Sequence, residues 1–238
     1  MIIWMVAAVC AFFVKGLCGF ANSLVFSTIL SFAANNVNIS PIELLIGWPM
    51  NVLIAFRERR AIKWKMCLML IALVIAGNIP GIFLLKTADA GIIKALFGAV
   101  IAAIGLEMLF SMHSAKPKKD SKLVLTAISV LSGLLCGLYG IGAMMGAYIG
   151  RVTKDSHEFK ANICLVFTAE NLFRIVMYSR LGIMTKDAVL LAVKILPFAL
   201  AGLLLGMAAG GKLNERTARK IVIVMLILSG VVLMVSNL

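Results

Sequence analysis

Two stretches, Gly16-Leu17-Cys18-Gly19-Phe20-Ala21-Asn22-Ser23 and Gly137-Leu138-Tyr139-Gly140-Ile141-Gly142-Ala143-Met144, each break an apolar run with paired glycines, at a constant offset of 121 residues. Glycine-broken hydrophobic segments at corresponding positions of two halves point to a transporter's binding site. Further matches extend the duplication. Asn51 falls against Asn171 at an offset of 120, and Gly77 with Gly81 falls against Gly202 with Gly206 at 125. Lys94 meets Arg219 and Gly105 meets Gly230, again at 125. The chain thus divides into a first repeat over 1–112, a polar linker over 113–122 that holds Pro117 and four lysines, and a second repeat over 123–238.

With 62% apolar residues and a mean hydropathy of +1.06, the chain is too hydrophobic for a soluble core of 238 residues. It reads as an all-α protein of the bilayer. Several apolar runs approach the roughly 20 residues of a spanning helix, whereas the runs beside the two glycine motifs are about half that. No basic region precedes the first run, so no cleavable signal peptide is expected.

Loop charges choose between two topologies. If both broken segments cross the membrane there are eight full crossings, and the loop lysines and arginines divide eleven against nine. If both are re-entrant helical hairpins, each repeat keeps three transmembrane helices, and the division becomes sixteen against four. The excess of lysine and arginine in cytoplasmic loops favours the hairpins. Three crossings per repeat is an odd number, so the repeats are inverted about an axis in the membrane plane. Both termini then face outward from the inner (plasma) membrane.

A helix that begins inside the membrane presents free backbone N–H groups and the positive end of its dipole, which attract an anion. In the first half this end lies near Gly19, Phe20, Asn22 and Ser23, with Lys15 one turn earlier. In the second half it lies near Gly140 and Gly142, where missing side chains let an oxyanion approach the backbone. The competing reading of these glycines is close helix packing.

Polar groups within spans mark a pathway, since hydrocarbon disfavours them. Glu170 and Arg174, four apart, share a helix face and can simply neutralise each other. Alternatively, Arg174 contacts the anion and Glu170 carries a coupling proton. Asn51 and Asn171 can hydrogen-bond substrate across the axis or join packed helices. Glu43 and Glu107 fall near span ends and can reach toward water.

The formal net charge of +13 is scattered among short loops, with no basic face for nucleic acid. The five cysteines show no disulfide or metal spacing, and His113 and His157 lack companion ligands, so neither metal nor cofactor is expected. No nucleotide-binding motif is present.

The string Gly133-Leu134-Leu135-Cys136-Gly137-Leu138-Tyr139-Gly140-Ile141-Gly142 resembles the "GllsGllGiGGG" signature of the sulfite exporter family of TauE/SafE type, and the string ending Gly19-Phe20 resembles its "GltGfG" counterpart. The usual run of three glycines is Gly142-Ala143-Met144 here, and Ala21 stands where a glycine is usual. The resemblance covers essentially the whole chain and implies a permease for sulfite, sulfonates or related anions.

The expected function is secondary transport of such anions, in the direction of export, by alternating access around a midplane site. An anion channel and an intramembrane enzyme are the alternatives, and no enzymatic activity is expected. The lipid bilayer and the small anion are the expected partners, and a homodimer stays open.

Overall fold

The computed structural model describes residues 1–31, 34, 36–87, 99, 102–103, 106, 109, 122–139, 142–210, 224, 227 and 231. Among them every regular element is helical: α1 (Ile2–Cys18), α2 (Asn22–Ser31), α3 (Asn36–Arg57), a 3-10 turn (Arg59–Ala61), α4 (Trp64–Thr87), α5 (Lys122–Tyr139), α6 (Ala143–Val152), α7 (Ser156–Arg180) and α8 (Lys186–Gly210). The pairs Lys94 with Arg219 and Gly105 with Gly230, Glu107, and 113–121 of the linker lie outside the described residues.

Among the described residues four helices are long and apolar enough to span a bilayer: Asn38–Arg57, Trp64–Lys86, Ser156–Arg180 and Lys186–Ala209. Solvent exposure follows membrane logic, because Leu190 (58%), Val193 (62%) and Leu204 (53%) face outward while Lys15, Glu43, Glu170 and Arg174 are buried. Apolar side chains outside and charges inside suit a hydrocarbon solvent.

The first apolar run ends where glycine requires it to. Gly19 closes α1 in the left-handed conformation (φ 84°), its N–H bonded to the Lys15 carbonyl at 2.7 Å. Ala21 also has positive φ, at 72°. Two left-handed residues within three reverse the chain, and α2 lies back along α1: the Trp4 and Phe26 rings meet edge to face at 6.0 Å. A continuous helix would hold those two residues about 33 Å apart.

Helix directions follow from which residues meet. Along α1 and α8, Val9 meets Gly202 and Phe13 meets Gly206, so these two run parallel. Along α4 and α5, Val74 meets Gly133 and Asn78 meets Gly137, so these too run parallel. In contrast, α3 and α7 run antiparallel, since Ser40 pairs with Tyr178 while Trp48 pairs with Thr168. Glycines make the parallel contacts possible. A Cβ on Gly202 would sit 2.5 Å from the Val9 carbonyl oxygen, and one on Gly16 2.5 Å from that of Leu203. In hydrocarbon, where no hydrophobic force draws helices together, such backbone proximity holds them by dispersion.

Capping defines the ends of α7. Asp155 accepts from the Glu158 N–H at 2.8 Å, while Glu158 returns a bond to the Lys154 N–H at 2.9 Å. At the other end Gly182 adopts φ 71° and starts the turn into α8.

Candidate functional site

Lys15 is fully buried, and a buried ammonium must be matched by acceptors. It donates to Asn51 Oδ1 at 2.6 Å and to Asn22 Oδ1 at 2.8 Å, joining α1 to α3 and to the first turn of α2. Asn22 passes the connection on, its Nδ2 donating to Glu43 Oε1 at 2.6 Å, and Ser23 Oγ donates to the same oxygen at 2.7 Å. Five polar side chains from three helices thus form one continuous network beside the chain reversal.

A second network adjoins it. On α7, Glu170 Oε1 lies 3.6 Å from Arg174 Nε and accepts from Asn78 Nδ2 at 2.6 Å. Arg174 Nη2 donates to Ser40 Oγ at 2.7 Å and to Tyr178 Oη at 3.0 Å, and Tyr178 Oη donates to the Gly137 carbonyl at 3.2 Å. Tyr178 therefore ties the guanidinium to α5, just ahead of the second glycine break. The two networks meet on α3, where Glu43 shares Asn22 with Lys15 and Ser40, three residues earlier, accepts from Arg174. Two cations and two carboxylates share this buried region, and among the described residues Asn78 Oδ1 and Arg174 Nε have no hydrogen-bond partner.

Of the residues singled out in the sequence, Lys15, Asn22, Ser23 and Asn51 come together around Glu43, and Glu170 and Arg174 form the second group. The i,i+4 pairing of Glu170 with Arg174 is present. Asn51 is engaged by Lys15, and the Asn171 side chain, though buried, has no hydrogen-bond partner among the described residues; no bond joins the two asparagines. Gly140 lies outside the described residues.

Gly19 and Gly142, the described glycines nearest the helix starts after the breaks, are covered. The Lys160 stem packs over Gly19, the Phe167 ring packs over Gly142, and Phe20 stacks edge to face on Phe159 at 5.6 Å. The helices after the breaks start where expected, at Asn22 and Ala143.

Glu43 is a correction. Its position near a span end would let it reach toward water, yet it is 2% exposed and accepts two hydrogen bonds. The cause is the α1–α2 reversal, which places two donors against α3 at that depth. Ser40, Asn78 and Tyr178 are further members that sequence reasoning missed. Only Asn78 carried a signal, a polar amide inside an apolar run.

A family described as sulfite exporter TauE/SafE matches residues 4–233. No curated protein and no solved structure matches the chain.

Proposed function

The chain belongs to the sulfite exporter TauE/SafE family of membrane transporters, and on that footing we propose that it is a secondary permease carrying sulfite or a small sulfonate outward across the plasma membrane. The observation that carries this reading is the pair of buried cations: Lys15, four residues before Gly19 and held by two neutral amide oxygens, and Arg174, which bonds Ser40 and Tyr178 beside Glu170 and is linked through Tyr178 to the Gly137 carbonyl. Arginine offers an oxyanion a planar fork and lysine a point charge. Asn22 and Ser23 add donors at the start of α2, where the helix dipole is positive.

In this reading α1 with α2, and α5 with α6, are re-entrant hairpins in two inverted repeats, over 1–112 and 123–238. Helix direction supports it. The corresponding helices α3 and α7 run antiparallel, as an axis in the membrane plane demands and an axis along the normal forbids. The loops agree as well. Glu58 bonds His157 at 2.9 Å and Lys63 pairs with Glu158, so the 57–65 and 151–160 loops share one end of the molecule. Hairpins require that placement, whereas eight crossings would put these loops on opposite faces.

With Phe167 and Lys160 over the glycines, the site is occluded. Transport then requires one bundle to rock against the other and uncover the anion on alternate sides. A membrane potential negative inside drives anion efflux by about 2.3 kcal/mol per charge per 100 mV, so export needs no coupling ion. Were import the direction, Glu170 would be the group to carry a compensating proton.

The test is flux from proteoliposomes loaded with sulfite, sulfoacetate, taurine or thiosulfate, repeated with Arg174→Ala. Saturable, counterflow-capable sulfite efflux that Arg174→Ala abolishes is the expected result. Flux that never saturates indicates a channel, and no flux of any anion under any gradient overturns the permease reading.

A further inference from the structure

The carboxylate of Glu43 stands where the transported anion is expected to bind. Its Oε1 takes the hydrogen bonds of Asn22 Nδ2 at 2.6 Å and Ser23 Oγ at 2.7 Å, the two side-chain donors of the first turn of α2. Lys15, whose Nζ lies 2.8 Å from Asn22 Oδ1, and Arg174 both attract it. Gly47, one turn further along α3, leaves it room: a Cβ there would lie 3.1 Å from Glu43 Oε1 and 3.4 Å from Asn22 Nδ2. A carboxylate and a sulfur oxyanion offer donors the same kind of acceptor oxygen, so they compete for one set of bonds.

We propose that Glu43 is a tethered competitor of the transported anion, bound to Asn22 and Ser23 when the transporter is empty and displaced from them by substrate. The inference rests on the reading of Asn22 and Ser23 as substrate donors. Charge balance favours displacement over simple addition. Lys15 and Arg174 face Glu43 and Glu170 within the buried region, and an added anion on the same donors would put three negative groups against two positive ones. Like-charge crowding in a low-dielectric interior is costly, so the flexible Glu43 arm gives way.

Displacement also explains how an empty carrier resets. After releasing its cargo, the protein returns through the occluded state with Lys15 still buried, and an unmatched buried cation opposes that step. The Glu43 carboxylate re-engages the donors and keeps the empty site neutral as the bundles rock. Net efflux, which needs the empty return, therefore depends on Glu43 more than exchange does, because exchange always returns loaded.

Two measurements on the full-length protein test this, equilibrium binding of radiolabelled sulfite and the ratio of net efflux to sulfite–sulfite exchange in proteoliposomes. If the carboxylate holds the donors about nine-tenths of the time, Glu43→Gln tightens apparent sulfite binding about tenfold. The ratio of net efflux to exchange falls by at least about tenfold, since the return step then carries an unmatched buried cation. Glu43→Asp retains the charge on a shorter arm, reaches the donors less well and gives intermediate values. It also keeps the test decisive if the glutamine variant does not elute as a monodisperse species. Infrared difference spectra upon sulfite addition should contain a carboxylate band that Glu43→Gln removes. Folded variants with unaltered binding, or with efflux and exchange reduced in equal proportion, overturn the displacement role and leave the transport reading standing. Failure of the wild-type chain and both variants to bind or move any sulfur oxyanion overturns both.

Discussion

Arg174 is where a single substitution says most about the buried region. It is fully enclosed, with Glu170 3.6 Å away and Ser40 and Tyr178 on its guanidinium. Arg174→Met leaves the Glu170 carboxylate without its cation, at a cost of about 3–5 kcal/mol. Thermal unfolding in detergent should show a clear drop, and adding Glu170→Gln should recover most of it. No recovery in the double variant would mean that Arg174 acts mainly through Ser40 and Tyr178. Lys15→Met removes a charged donor from Asn22 and Asn51, and sulfite affinity should fall by about 10- to 100-fold, the worth of one charge-assisted hydrogen bond. Unchanged affinity would exclude Lys15 from the anion site. Both residues are legible in the sequence because a charge within an apolar run needs a reason. Glu43 is not, since whether a carboxylate near the end of a span meets water or a donor depends on what folds against it.

At the scale of elements, the glycines separate into those that admit a neighbour and those that turn the chain. Gly81 on α4 faces the backbone of Leu134 and Gly137 on α5, where no side chain can yield. Gly81→Val forces α4 and α5 apart and should abolish folded yield, measured as monodisperse protein after extraction. Gly182 has φ 71°, and nothing among the described residues lies within 4 Å of a Cβ there. Asparagine tolerates that conformation, so Gly182→Asn should cost under about 1 kcal/mol, with an unfolding midpoint close to wild type. The duplicated spacing of Gly77 and Gly81 with Gly202 and Gly206 was visible in the sequence. Their partners were not: α4 packs on α5 from the other half, and α8 packs on α1. Sequence separation carries no information about which of several apolar helices lies alongside, because in hydrocarbon all of them expose similar surfaces.

For the whole molecule, the decisive quantity is sidedness. Arg60 and His157 are both exposed, and the Glu58–His157 and Lys63–Glu158 contacts hold their loops at one end. In a cysteine-free background, Arg60→Cys and His157→Cys should be labelled by a membrane-impermeant maleimide from the same, cytoplasmic face. A cysteine at Ile2 should be labelled from the opposite face. Labelling of the two loop sites from opposite faces would replace the hairpins by full crossings.

Hydrophobic run length and composition by themselves determined an all-helical membrane protein, and the glycine offsets located its two broken segments, because transfer free energy and backbone freedom are properties of local residue type. The family motif is likewise a matter of residue order. Loop charges already pointed to chain reversal at the breaks and to opposed repeats; tertiary structure alone decided that α4 packs on α5 and α8 on α1, and that Glu43 takes the hydrogen bonds of Asn22 and Ser23. Those outcomes hinge on the left-handed turn at Gly19 and Ala21 and on which helices come into contact, and both depend on atoms far apart in the chain.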